Sequence, residues 1–339
     1  QTATRDSTPQ IQIIAVDGLV NFYYPGYIKT GWTAALKSLG GNIKGRFSKP
    51  EPKIVDPYLA IDEATTAAIA RVITGGTSME SRANAARAAG VLRAKPALSQ
   101  LMEALRSRDT TVILESVRAI KKIGDPSVGP ELTFLLNDLD KDVQYEVVRT
   151  MGQLRVAEAV PELENLLRRS RKKRIRRQSL IALTKLPQPS LRVLFSSYLR
   201  DKDKQLRAAA AEGLGRLGNR DDLKTILDAF AKEKNESARL SMAFGAASLG
   251  DQSFLAYLYD GLNSSFHRLE ARPFLTELAR DPDVLQQLYR PLASGTAHQK
   301  KHLAYVISIS GNEQSMSHLE KLTHDRDLEV AQEAVRALK

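Results

Sequence analysis

The sequence predicts an all-α fold: a right-handed α-solenoid of about eight helical-hairpin repeats behind a non-repeating N-terminal extension. Two observations predict it. An apolar residue closing a helical pattern recurs as Leu92, Ile123, Leu154, Leu186, Leu217 and Leu249, at steps of 31, 31, 32, 31 and 32 residues. A second series in the following helix, Leu105, Leu136, Leu167 and Leu199, keeps the same beat. A fixed period of this size means one supersecondary unit stacked on its copies, each burying an apolar face it cannot cover alone. The composition agrees, because 42% hydrophobic residues with only 6% aromatics suit helices packed closely on small side chains.

In chain order, residues 1–10 are polar, and residues 11–59 do not follow the repeat. The run IQIIAV at 11–16 reads as a strand. Phe22, Tyr23, Tyr24, Tyr27 and Trp32 lie within eleven residues. They read as a cap over the open end of the stack, which solenoids need; stacking on sugars or lying at a membrane interface are the alternatives. Residues 33–39 read as a short helix stopped by Gly40 and Gly41, and Pro50, Pro52 and Pro57 mark an extended loop. The domain reading is therefore residues 1–59 as cap or docking arm and residues 60–339 as the repeat array. Residues 60–74 read as the second helix of an incomplete first unit. Six regular units follow, then two looser ones at 267–293 and 298–323, then a last first helix at 328–339 with no second.

Within a unit the signals are local. Apolar residues at three- and four-residue spacing give each helix one buried stripe. Gly124, Gly218 and Gly250 end helices at the C-cap. Pro130 and Pro161 sit near the start of second helices, where a missing N–H does no harm. Asp109, Asp142 and Asp203 open first helices as caps or dipole partners. Pro273 either kinks its helix or marks a later start.

The units resemble HEAT-like repeats of the phycobilisome-lyase type, with the pattern D-x-x-V-R-x-x-A-A-x-A-L-G-x-L-G-D-P. KQLRAAAAEGLGRLG (204–218) matches most fully, and 237–251 and 123–132 match in part. The pattern's Arg falls on Arg82, Arg176, Arg207 and Arg239, while Ile113 and Gln144 replace it in two units. The resemblance implies the fold and, in that family, second helices lining a concave binding face. On that reading Arg192, Tyr198 and Tyr257 are groove candidates. Some relatives are chromophore lyases or DNA glycosylases, and no residue pattern here selects either chemistry.

The charge is local. The formal net charge is +11, and residues 165–200 hold eleven basic residues and no acidic one, so the remaining 39 basic and 39 acidic residues cancel. Arg168, Arg169, Arg171, Lys172, Lys173, Arg174, Arg176 and Arg177 cluster around the start of one first helix. Cations at the positive end of a helix are unfavourable unless an anion is present. These eight residues are the candidate site for an anionic partner. A solvated basic surface is the plain alternative.

No catalytic motif appears: no HExxH, GxSxG, Walker loop or GxGxxG. There is no Cys, hence no thiol nucleophile and no disulfide. His298 and His302 are four apart, but Lys300 and Lys301 lie between them and no carboxylate completes a metal set. The sequence therefore points to a non-enzymatic scaffold without cofactor or metal, binding a protein partner with an acidic face. Nucleic acid is the alternative, with anionic glycan or lipid head groups behind it. The uncovered last helix suggests self-association at the C-terminal end. No apolar run is long enough to span a bilayer. The start at Gln1 reads as a cleaved signal peptide or a removed tag, which leans toward a periplasmic or exported protein over a cytoplasmic one.

Overall fold

The computed structural model describes residues 1–27, 54–56 and 58–338. Among these there is no β-strand. The chain divides into two compact units, residues 1–182 and 183–339. The first holds α1 (Pro9–Tyr23), α2 (Glu63–Gly75), α3 (Met79–Val91), α4 (Leu98–Ala104), α5 (Thr110–Ile123), a 3₁₀ helix (Pro130–Asn137), α6 (Lys141–Leu154), α7 (Val160–Arg169) and nearly all of α8 (Lys173–Leu183). The second holds α9 (Arg192–Tyr198), α10 (Lys204–Leu217), α11 (Leu223–Lys232), α12 (Glu236–Ser248), α13 (Leu255–Asp260), α14 (Arg268–Leu278), α15 (Pro282–Ser294), α16 (Ala297–Ser310), α17 (Glu313–Leu322) and α18 (Leu328–Ala337). Each is an all-α stack of helical hairpins, as the 31-residue beat predicts.

The N-terminal segment departs from expectation. Residues 11–16 are not a strand; they lie inside α1, which starts on Pro9. Gln12, Val16, Asp17 and Val20 are buried, a helical spacing, while Ile11 and Ile14 face outward. A β-branched run favours strand locally, but docking against α3 decides the outcome. Asn84 Nδ2 donates to Asp17 Oδ1 at 3.0 Å and Thr77 N to Gln12 Oε1 at 3.0 Å. Of the aromatics, Tyr27 is buried, the Tyr23 hydroxyl accepts from Asp62 N, and Phe22 points to solvent. Trp32 and the helix expected at 33–39 lie outside the described residues.

First helices begin where the sequence places a short acceptor. Asp109 accepts from Thr111 N and Val112 N, and Asp203 from Gln205 N. In α6 the cap is Asp140, two residues before the expected Asp142. Gly124 and Gly218 close their helices in the left-handed region, at φ 77° and 70°. Pro273 sits in the interior of α14, so that helix does not start later than the pattern indicates.

The pattern's Arg, four residues after each cap, has a structural task. Nε of Arg82 donates to Ile73 O at 3.0 Å, and Nε of Arg176 to Leu167 O at 3.1 Å. Arg207 reaches Asp201 O and Arg239 reaches Glu233 O. These are carbonyls at or just past the end of the preceding second helix, which lack partners within it. Gln144 does the same job, donating Nε2 to Leu136 O at 2.6 Å.

The two layers of hairpins are spaced differently. First helices touch through small residues. A Cβ on Gly90 would fall 2.7 Å from Ala119 Cα, one on Gly152 2.8 Å from Ala182 Cα, and one on Gly215 2.8 Å from Gly245 Cα. Second helices are short and separated by Leu and Phe side chains such as Leu132, Leu163 and Phe195. First helices therefore form the more closely spaced of the two layers.

Candidate interaction surface

On the first-helix layer of residues 1–182, charged and polar residues recur at the sixth, ninth and thirteenth places after the cap in α5 and α6. In α5 these are Glu115, Arg118 and Lys122, and in α6 Glu146, Arg149 and Gln153. Arg87 stands at the ninth place of α3. The two glutamates are only 6% and 4% exposed. Each is neutralised by one cation from the preceding helix and one from its own. Glu115 takes Arg87 Nε at 3.1 Å and Arg118 Nη1 at 2.7 Å. Glu146 takes Lys121 Nζ, and Arg149 Nη1 at 3.3 Å.

The row is over-supplied with positive charge. Arg87, Arg118, Lys121, Lys122 and Arg149 face Glu115 and Glu146, with Asp17 near Arg87 at one end. Burial pushes the Glu115 carboxyl up, but Arg87 and Arg118 outweigh it and leave its pKa below the ordinary value. Burial lowers the Lys122 ammonium; Glu115 opposes this, and Arg87, Lys121 and Arg118 lower it further. Its stem packs near Gly90, and among the described residues no carboxylate is within hydrogen-bond reach of it. A partly buried ammonium beside other cations is favoured by an incoming anion.

The same layer in residues 183–339 is closed on itself. Arg216 makes a bidentate pair with Glu277 at 2.9 Å, and a further bond to Glu212 at 2.9 Å and one to Thr184 Oγ1 at 3.1 Å. Ser241 Oγ donates to Glu212.

The basic segment is divided by the structure. Arg168 pairs with Glu164 in its own helix. Arg174 bonds Asp142 at 2.7 Å and lies 3.6 Å from the Tyr145 ring centre. Arg176 is committed to Leu167 O, and Arg177 has contacts of its own. Arg169, Arg171, Lys172 and Lys173 are exposed. The Lys172 carbonyl accepts from Ile175 N and Arg176 N, so Lys172 occupies the cap position where the other first helices, except α14 with His267, carry Asp, Asn, Ser or Thr. These four cations lie at the turn between α7 and α8, at the edge of the stack. The groove candidates fall on the second-helix layer. Arg192 is paired with Asp222 at 2.9 Å, and the Tyr257 hydroxyl donates to Glu236 and accepts from Arg239. Tyr198 is half-buried on α9.

Sequence reasoning passed over the first-helix row. Its charges are spread over three helices, and each is balanced by chain composition. The signal was present as a basic residue nine places after the cap in α3, α5 and α6. Among the described residues no group of His, Asp or Glu is arranged to hold a metal, and no helix is long and apolar enough to cross a membrane.

Stacked helical hairpins, a tight small-residue layer and an Arg on the preceding carbonyl define an α-solenoid repeat protein. A family model for HEAT repeats matches residues 129–203. Solved structures align at low identity. An engineered protein is 19% identical, over 99% of this chain and 96% of that one, with a TM-score of 0.48. The complex of CpcE and CpcF of phycocyanin lyase from Nostoc sp. PCC7120 is 17% identical, over 82% and 92%, at 0.41. Importin beta is 14% identical, over 81% of this chain and 48% of that one, at 0.41. No curated protein matches the sequence.

Proposed function

We propose that the chain is a non-enzymatic scaffold that holds a protein partner by an acidic surface, received on the first-helix face of residues 1–182. The observation that carries this is the row Arg87, Arg118, Lys121, Lys122 and Arg149, in which the described carboxylates paired with the cations are Glu115 and Glu146, with Asp17 near Arg87 at one end. Rigid helices fix the spacing of these cations, so an acidic face of matching spacing binds without ordering cost. The exposed Arg169, Arg171, Lys172 and Lys173 supply long-range attraction at the edge, and raise the rate of encounter more than the affinity.

Neutralising Arg118, Lys122 and Arg149 together to Gln is expected to abolish capture of the partner from the native source in protein that stays folded at a lowered melting temperature, because Glu115 and Glu146 each lose one of two cations. Lys122→Gln alone should weaken capture with the melting temperature unchanged. Neutralising Arg171, Lys172 and Lys173 is expected to weaken capture only at low salt. Full capture by the first variant overturns the first-helix reading. Capture that nuclease removes, with a steep loss as salt rises, replaces the protein partner with nucleic acid.

A further inference from the structure

A second cationic feature lies far along the chain and is independent of the row above. α14, α16 and α18 line a cavity of about 280 Å³ that is open to solvent on one side, walled by Arg268, Leu269, Arg272, His298, Lys301, His302 and Glu329. Arg268 and Arg272 are one turn apart on α14, so both guanidiniums reach the same side of that helix. His298, Lys301 and His302 approach from α16. Arg272 is held in place over the Tyr305 ring at 4.1 Å. Of the described residues lining the cavity, Glu329 alone is acidic; it bonds Lys301 Nζ at 2.7 Å with its own side chain 73% exposed. The interior thus gathers three permanent cations and two imidazoles against one carboxylate, which leans to solvent.

We propose that this cavity binds a tetrahedral oxyanion, the phosphate or sulfate group of an ester, with Arg268 and Arg272 as the fork and His302 as a further donor. Guanidinium forks match such oxygens in pairs, and a neutral imidazole adds one N–H. Leu269 on the wall leaves room for an apolar remainder of the ester beside the charged end. Burial, then Arg272, Arg268, Lys301 and His298, hold His302 down at about 4. The groups facing it are therefore Arg268 and Arg272 from α14, His298 and Lys301 from its own helix, and Glu329 from α18. A bound phosphate anion offsets part of that positive field, so His302 should titrate at higher pH when the site is filled.

The test is an NMR titration of the histidine ring protons of the full chain, with His302 assigned through His302→Gln among the five histidines. With phosphate at about 10 mM, enough to fill a site of millimolar affinity, the His302 midpoint is expected to rise by about one unit or more. Phenyl phosphate should act at lower concentration than inorganic phosphate. Arg268→Gln, and Arg268→Gln with Arg272→Gln, should reduce and then remove the response while the melting temperature stays unchanged. An unmoved His302, the same shift with chloride at equal ionic strength, or the same shift in the folded double variant would each overturn the proposal.

Discussion

Replacing Arg216 with methionine is expected to destabilise residues 183–339 by about 2–4 kcal/mol, the range for a broken half-buried ion pair after allowing for the solvent that still reaches Glu277. The guanidinium ties α10 to α14 across the intervening α12 and lies 5.0 Å from the Phe244 ring centre. Methionine retains much of the stem and loses every polar bond, leaving Glu277 without Arg216 and Glu212 with Ser241 but no cation. The pH dependence has a definite sign. Burial holds the Glu212 carboxyl above its ordinary value, with Arg216 and Ser241 opposing the shift. A raised carboxyl favours folding fully below the unfolded-state value, and that contribution is lost as pH rises through the folded-state value. Without Arg216 the shift is larger. The variant's deficit in urea unfolding should therefore be large near pH 8 and shrink toward about pH 4, where Glu212 is protonated. An equal deficit at both would show that the carboxylates are not what Arg216 neutralises.

Gly152→Val is expected to cost residues 1–182 about 2–3 kcal/mol through overpacking. A Cβ at Gly152 meets Ala182 Cα at 2.8 Å, its Cβ at 3.0 Å and its carbonyl oxygen at 3.3 Å. Backbone atoms cannot swing aside, so α6 and α8 must separate. The informative comparison is Gly152→Ala. In an open helix that change adds about 1 kcal/mol of stability; here it should destabilise. A gain would mean that the first-helix layer is looser than the Gly–Ala contacts indicate.

The repeat was legible because period and core coincide. The anchors from Leu92 to Leu249 are side chains the stack has to cover: five of the six are buried and Leu217 is half-buried. The cap glycines were legible because φ near +70° selects Gly locally. The misplaced parts share one cause, since each depends on contacts between distant residues. IQIIAV favours a strand until Gln12 and Asp17 find Thr77 and Asn84. Arg176 looks like one of eight equivalent cations until Leu167 O claims it. Which layer is more closely spaced depends on Gly90 facing Ala119, a comparison of two helices that neither stripe contains alone. The cationic row lies on the first helices, so a reading that looks for the partner on the second helices passes over it.

The central claim is that the first-helix face of residues 1–182 holds the partner. The most direct measurement places a photo-crosslinking side chain at Arg118, on that face, and separately at Phe134, exposed on the second-helix layer. Each protein is irradiated in its native source, and the adducts are identified by mass spectrometry. One protein adduct at position 118, bonded through an acidic segment and absent at 134, is the predicted result. The same adduct at 134 and none at 118 would contradict it.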